Sequence, residues 1–247
     1  MIQLLAIIGG TGLTSLETLK VNRREMVSTP YGETSGPLTH GELNGQEVVF
    51  LARHGYGHTI PPHKVNYRAN LWALKHIGVT QVIAVAAVGG IRADMKPGYL
   101  VFPDQIIDYT WSRCHTYFEE DLRQVIHVDF TQPYCETLRK KLIQAARQTN
   151  LVVREEGTYG ATQGPRLETA AEIERLERDG CDVVGMTGMP EAALAREIGL
   201  CYATCAVVAN WAAGKSEGVI AMEAIQRQLV QGMDKVKTLL SQVMNLL

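Results

Sequence analysis

Val82-Ile83-Ala84-Val85-Ala86-Ala87-Val88-Gly89-Gly90 decides the class of fold. The run is apolar without interruption until it closes on two glycines, and it lacks the alternation of a strand with one wet face. Such a run suits a strand buried on both faces of a mainly parallel sheet covered by helices. The pattern recurs on either side of it. Leu4-Leu5-Ala6-Ile7-Ile8, Val48-Val49-Phe50-Leu51, Val183-Val184 and Tyr202-Ala203-Thr204-Cys205-Ala206-Val207-Val208 read as further strands. Helical patterns lie between them, over about 65–76, 137–148, 169–178 and 191–197. Near the end, Met222, Ile225, Leu229, Met233, Val236, Leu240 and Val243 recur at threes and fours, an amphipathic stripe that packs on the body.

The 247 residues are 46% hydrophobic and 20% charged, a globular balance with ample material for a core. No Pro/Ser-rich linker, low-complexity stretch or internal repeat interrupts them, so a single α/β domain over 1–247 is the economical expectation. Lys and Arg total 24 against 26 Asp and Glu, a formal charge of −2, which argues against a nucleic-acid partner. No stretch reaches the roughly 18 consecutive apolar residues of a membrane span. Met1-Ile2-Gln3-Leu4 shows no basic segment or cleavage site of a signal peptide. Cys114, Cys135, Cys181, Cys201 and Cys205 form no CxxC pair, and read as free thiols serving as small buried hydrophobes. A reducing compartment, the cytoplasm, is expected from them.

The ends of the strands carry the chemistry. After the first comes Gly9-Gly10-Thr11-Gly12-Leu13, where backbone N–H groups and a hydroxyl can converge on an anion. A dinucleotide fingerprint does not fit, because Ser15 stands at its third glycine and no acidic strand end follows. Leu51-Ala52-Arg53-His54-Gly55 places a planar cationic fork, with a histidine donor beside it, directly after a strand. His54, His58 and His63 invite a metal reading, but Gly55, Gly57, Pro61 and Pro62 make the segment a loop, so no metal is expected.

Four further segments have duller alternatives as well. Val88-Gly89-Gly90 is another flexible strand end. Glu168, in Thr162-Gln163-Gly164-Pro165-Arg166-Leu167-Glu168-Thr169, is either a ligand group or a carboxylate starting a helix. Met186 and Thr187 lie where a strand turns into a helix with Pro190 near its start, and Met186 alone would fill a core. Asn210 ends a buried strand, where an amide often only forms a turn. Six such strand ends fit ligand binding outside the carboxyl ends of parallel strands, and predict an α/β enzyme with an oxyanion-binding floor.

With these motifs assembled, the chain resembles the trimeric purine nucleoside phosphorylases, a family that includes methylthioadenosine phosphorylase. The resemblance runs nearly the full length. It is carried by Ile8-Gly9-Gly10-Thr11-Gly12, Ala52-Arg53-His54-Gly55, Pro62-His63-Lys64-Val65-Asn66-Tyr67-Arg68-Ala69-Asn70, Gln163-Gly164-Pro165-Arg166 and Gly185-Met186-Thr187. It implies an α/β fold with a central mixed sheet flanked by helices, a homotrimer, and neither metal nor cofactor. Inorganic phosphate is the implied co-substrate, cleaving a purine N-glycosidic bond. Thr11, Arg53, His54 and Thr187 become implied phosphate ligands, helped by the backbone at Ala86 and Ala87. Met186 is the implied ribose neighbour. Glu168 and Asn210 fall where such enzymes read the base, with Leu167, Trp211 and Ala212 in the same nucleoside site. Asn210 and His54 are the implied catalytic groups, and His127 is similar to a residue that reaches the neighbouring subunit's 5' pocket.

The chain departs from adenine-cleaving relatives, which place an Asp at the Asn210 position, another two residues on, and a small residue at the Glu168 position. Glu168 can accept from the N1–H of a 6-oxopurine, while Asn210 can donate to O6 and accept from a protonated N7. Adenine reverses both contacts, at about 1–3 kcal/mol per buried mismatch. Met222 and Ile225 offer an apolar wall suited to a 5'-methylthio group rather than a 5'-hydroxyl. A 5'-methylthio-6-oxopurine nucleoside is therefore the expected substrate. Ordinary 6-oxopurine nucleosides, 5'-methylthioadenosine, a hydrolytic reaction and a non-catalytic nucleoside-binding module stay open as alternatives.

Overall fold

The computed structural model describes residues 4–10, 12–13, 18–120, 122–218 and 222–247. The chain begins with β1 (Leu4–Gly9), β2 (Lys20–Glu25), β3 (Leu38–Leu43), β4 (Gln46–Ala52), α1 (Tyr67–His76) and the long β5 (Val79–Gly90). It continues through β6 (Leu100–Val101), β7 (Gln105–Asp108), α2 (Glu136–Gln148), β8 (Val153–Arg154), β9 (Thr158–Ala161) and α3 (Ala170–Arg178). β10 (Val183–Gly185), α4 (Gly188–Glu197), β11 (Cys201–Trp211) and α5 (Met222–Met244) complete it.

The apolar runs make the middle of one mixed sheet. β1 pairs in parallel with β4 and β5, and β11 pairs in parallel with β5 along nearly its whole length. Alternate residues feed opposite layers, as the pleat requires. Leu5, Ile7, Phe50 and Val85 pack with α2 and α5, while Ala6, Ile8, Leu51 and Ala84 pack with α1 and α4. Helices thus flank both faces, which is why these strands read as continuous apolar runs. The apolar stripe of α5 is buried at Ile225, Leu229, Met233, Val236, Leu240 and Val243.

Helix starts follow local chemistry. Asn66 caps α1 by accepting from the Ala69 N–H, so Val65 stays extended ahead of the helix. Thr169 and Glu172 form a capping box on α3. In α4, Met189 is non-helical and the Met189–Pro190 bond is cis, so the regular helix runs from Pro190.

Antiparallel pairing is more extensive than the apolar runs indicate: β2 with β3, β3 with β4, β5 with β10, and β6 with β11. β3 and β4 form a hairpin over Asn44-Gly45, both at positive φ, as a two-residue turn of that type demands. β2 is polar and exposed, and β6 and β8 have two residues each, too short for any period to register. Among the described residues no helix is long and apolar enough to cross a membrane.

The expectation of five free thiols is corrected. Cys135 and Cys201 form a disulfide across 66 residues of sequence, leaving Cys114 exposed and Cys181 and Cys205 buried as free thiols. The two meet because Cys135, at the start of α2, lies beside the first residues of β11, its N–H donating to Tyr202 O at 2.8 Å. Such proximity is tertiary and leaves no mark in cysteine spacing. It also removes the thiol-based reason for a reducing compartment. A thiol titration of the unfolded chain should therefore count three reactive cysteines without reductant and five after reduction.

Candidate active site

The site begins as a gap in the sheet. On one edge of β5, β1 pairs only as far as Ile8 with Ala84, and β10, entering from the opposite direction, pairs from Val184 with Gly89. β11 occupies the other edge. On the first edge, residues 85–88 therefore have no strand partner among the described residues. A cavity of about 410 Å³ opens there, lined by Ala86, Ala87, Val88 and Gly89. Strand alternation puts the Ala87 N–H and C=O on the same edge as those of Val85.

Arg53, directly after β4, fills the start of the gap. Its Nη1 donates to Val85 O at 2.9 Å. Nε and Nη2 donate to the two Glu191 carboxylate oxygens at 2.6 and 2.7 Å. Glu191 sits on α4 and also accepts from the Tyr202 hydroxyl of β11 at 2.8 Å. Burial by itself would lower the pKa of Arg53, but the adjacent Glu191 carboxylate outweighs it and holds the guanidinium firmly protonated. A guanidinium has five N–H donors, so one on each terminal nitrogen is left over for a ligand. Gly10 makes room for this group: a Cβ there would stand 2.9 Å from Arg53 Nη1 and 2.5 Å from Val85 O.

His54 lines the same cavity and is 5% exposed. Its Nδ1 donates to Ile60 O at 2.8 Å. Burial, reinforced by the Arg53 charge, pushes its pKa down from 6.5 to about 4. The ring is therefore neutral near pH 7, and its other nitrogen, Nε2, is an acceptor. The sequence reading had expected a donor.

Three segments supply the rest of the wall. Thr187, buried, follows Met186 between β10 and α4. Asn210 follows a bulge in β11, where Val208 pairs with Val88 and Asn210 with Gly89, leaving Ala209 extra. Bulges of this kind re-aim side chains, and Asn210 Nδ2 donates to Trp211 O at 2.7 Å. Glu168 lies on the loop before α3, its Oε1 accepting from the Thr162 hydroxyl at 2.6 Å. Buried Arg113 ties the loops together, donating to Met186 O at 2.8 Å, Met189 O at 2.7 Å and Gln163 O at 2.7 Å.

The fold thus gathers Arg53, His54, Ala86, Ala87, Leu167, Glu168, Met186, Thr187, Asn210, Ala212, Met222 and Ile225 around one cavity. Met222 is 58% exposed and forms its rim, with Ile225 and Leu229 buried behind it. Two expected residues are not part of its wall: Trp211 is absent from the lining, and His127 is exposed in a stretch without helix or strand. Thr11 lies outside the described residues. The sequence reading gave no role to Glu191, Thr162 or Arg113, and it read the segment with His58, Pro61 and Pro62 as a loop without bringing it to the site, where His58, Thr59, Ile60, Pro61 and Pro62 close one side. The only sign of Glu191 was a lone carboxylate inside an apolar run, Gly188-Met189-Pro190-Glu191-Ala192-Ala193-Leu194. No cluster of three or more metal-ligating side chains occurs among the described residues.

The sequence signature of the phosphorylase superfamily matches residues 4–245. A probable S-methyl-5'-thioinosine phosphorylase of Pseudomonas syringae pv. tomato is 55% identical over 240 residues, spanning 97% of this chain and 98% of the relative. A 6-oxopurine nucleoside phosphorylase of Pyrococcus furiosus is 49% identical, spanning 97% and 91%. The crystal structure of a methylthioadenosine phosphorylase from Schistosoma mansoni, in complex with adenine, superimposes with a TM-score of 0.95 at 35% identity, covering 99% of this chain and 92% of that one.

Two outcomes follow from the buried charges. Glu191→Ala strands a buried guanidinium and should lower folding stability by about 3–5 kcal/mol in urea unfolding. The second concerns His54: unfolded, it takes up a proton near 6.5, whereas the folded protein waits until about 4. Stability should therefore fall as pH drops from 6.5 towards 4, and the unfolding free energy of His54→Gln should fall less over that window.

Proposed function

The chain belongs to the phosphorylase superfamily, and we propose that it cleaves S-methyl-5'-thioinosine with inorganic phosphate to hypoxanthine and 5-methylthioribose 1-phosphate. It is a purine nucleoside phosphorylase, a pentosyl-transferring enzyme of purine salvage. The reading is carried by one observation: Glu168 and Asn210 line the same cavity as the unspent donors of Arg53.

In this reaction the C1'–N9 bond breaks with its electron pair leaving on the purine, and a phosphate oxygen bonds to C1'. Positive charge develops on the ribosyl ring and negative charge on the base. Phosphate, held by Arg53, His54, Thr187, Thr11 and the backbone N–H of Ala87, stabilises the cationic sugar and then captures it; the Ala86 backbone turns to β11 instead. Because neutral His54 presents an acceptor, it suits the P–OH of hydrogenphosphate. Met186 lies against the ribose. Asn210 serves N7 and O6, and Glu168 accepts from N1–H. No side chain has to act as the attacking nucleophile, and the proposal needs no metal or cofactor.

Ile225 and Leu229, with Met222 at the rim, support an apolar 5' pocket that a methylthio group would fill. Leu122, Val125, Ile126 and Val128 are exposed around His127. Burying them against another copy of the chain, in a homotrimer, would bring His127 to a neighbouring 5' pocket. A cytoplasmic location fits a reaction whose charged sugar phosphate does not cross a membrane unaided. A preference for ordinary 6-oxopurine nucleosides is the second reading, supported by the Pyrococcus relative and by the exposure of Met222.

A substrate panel with phosphate separates the two. Each methylene-sized group buried is worth about 0.8 kcal/mol, and an unpartnered 5'-hydroxyl placed there costs about 1–3 kcal/mol. Methylthioinosine should therefore exceed inosine in kcat/KM by at least about tenfold. Comparable efficiencies would favour the second reading, and product formation without phosphate would contradict phosphorolysis.

A further inference from the structure

We propose that Thr162 is a positioning residue for base recognition, its hydroxyl fixing one oxygen of the Glu168 carboxylate so that the other faces the base edge, and so enforcing the choice of 6-oxopurine over 6-aminopurine. This rests on the base reading given above.

Thr162 follows the last residue of β9, and its backbone is fixed twice. Its N–H donates to Gly185 O at 2.8 Å, and its carbonyl accepts from Arg113 Nη2 at 3.2 Å. The hydroxyl stands on this rigid base with a single proton to give. Two acceptors are in reach: Glu168 Oε1 at 2.6 Å and Gly185 O at 3.3 Å. Gly185 O already receives the Thr162 N–H, and a bond to an ionised oxygen is the shorter and stronger kind, so the proton goes to Glu168. No other hydrogen bond reaches the Glu168 carboxylate among the described residues.

The consequence is directional. With Oε1 engaged by the Thr162 hydroxyl, Oε2 is the carboxylate oxygen left to accept from the base edge. A base edge presented to it must then donate. N1–H of hypoxanthine donates, whereas N1 of adenine accepts and finds no donor in a carboxylate oxygen. Glu168 sits on a half-exposed loop after Pro165, so among the described residues its side chain is fixed by the hydroxyl anchored at a strand end.

The test is steady-state kinetics of the wild-type chain, Thr162→Val and Thr162→Ser on methylthioinosine and methylthioadenosine, each with phosphate varied. Valine keeps the shape and removes the hydroxyl, while serine keeps the hydroxyl. Thr162→Val should raise KM for methylthioinosine about tenfold, the loss expected with one hydrogen bond to a charged group, and should shrink the preference over methylthioadenosine. KM for phosphate should stay within about twofold, and Thr162→Ser should restore the wild-type values. An unchanged KM for methylthioinosine in Thr162→Val would overturn the proposal. So would a serine variant as impaired as the valine one, or a phosphate KM rising in step with that of the nucleoside. A wild-type preference for methylthioadenosine would instead overturn the base reading, before any variant is considered.

Discussion

Arg53 and Glu191 meet where water does not reach, each 1% exposed, and neither is tenable there alone. Their pairing requires the end of β4 and the first regular turn of α4 to lie together over β5. Tyr202 brings β11 into the same contact, and Gly10 brings the turn after β1. Four strands and a helix thus meet around one pair of charges. The pair also keeps the arginine ionised and aimed before any ligand arrives, so the anion meets a fork that needs no reorganisation, the arrangement most useful for stabilising charge that develops during a reaction.

The room for that fork comes from topology. A strand with one neighbour on each edge along its whole length offers no backbone donors. β5 instead has two partial neighbours on one edge, β1 arriving from one end and β10 from the other, and they stop short of each other. The break is a binding site in waiting: polar backbone in an apolar sheet must find partners. Arg53 supplies the partner for Val85 O, and an oxyanion suits the Ala87 N–H. β10 enters antiparallel to β5, and that reversal opens the cavity.

How much of this was legible depended on how local its cause is. The five buried strands and five helices left long apolar periods, and their positions could be read within a few residues. The Asn44-Gly45 hairpin went unread beside the apolar runs, and the polar Lys20–Glu25 edge and the two-residue β6 and β8 carry too little pattern to stand out. Most of the expected site residues do line the cavity, because many of them lie at or near the carboxyl ends of strands, and these ends converge. Glu191, Thr162 and Arg113 were not legible, since each acts on a partner at least six residues away and shows no local signature. The Cys135–Cys201 bridge was missed for the same reason.

The three parts of the proposed substrate are held with unequal rigidity. Phosphate meets an ion pair locked into the sheet. The base meets two side chains at strand ends or on a loop, steadied by Thr162, Arg113 and the backbone of Trp211. The 5' substituent meets the start of α5, whose first residue is more than half exposed. Energetic reach follows the same order. A misplaced donor at a buried base edge costs about 1–3 kcal/mol for each group, while a methyl-sized contact at a partly open rim contributes less than the roughly 0.8 kcal/mol of full burial. Within one chain, discrimination between bases is therefore built more firmly than discrimination at the 5' end. Tightening the latter requires closing the rim, and the exposed apolar stretch around His127 makes a second copy of the chain the natural means of doing so.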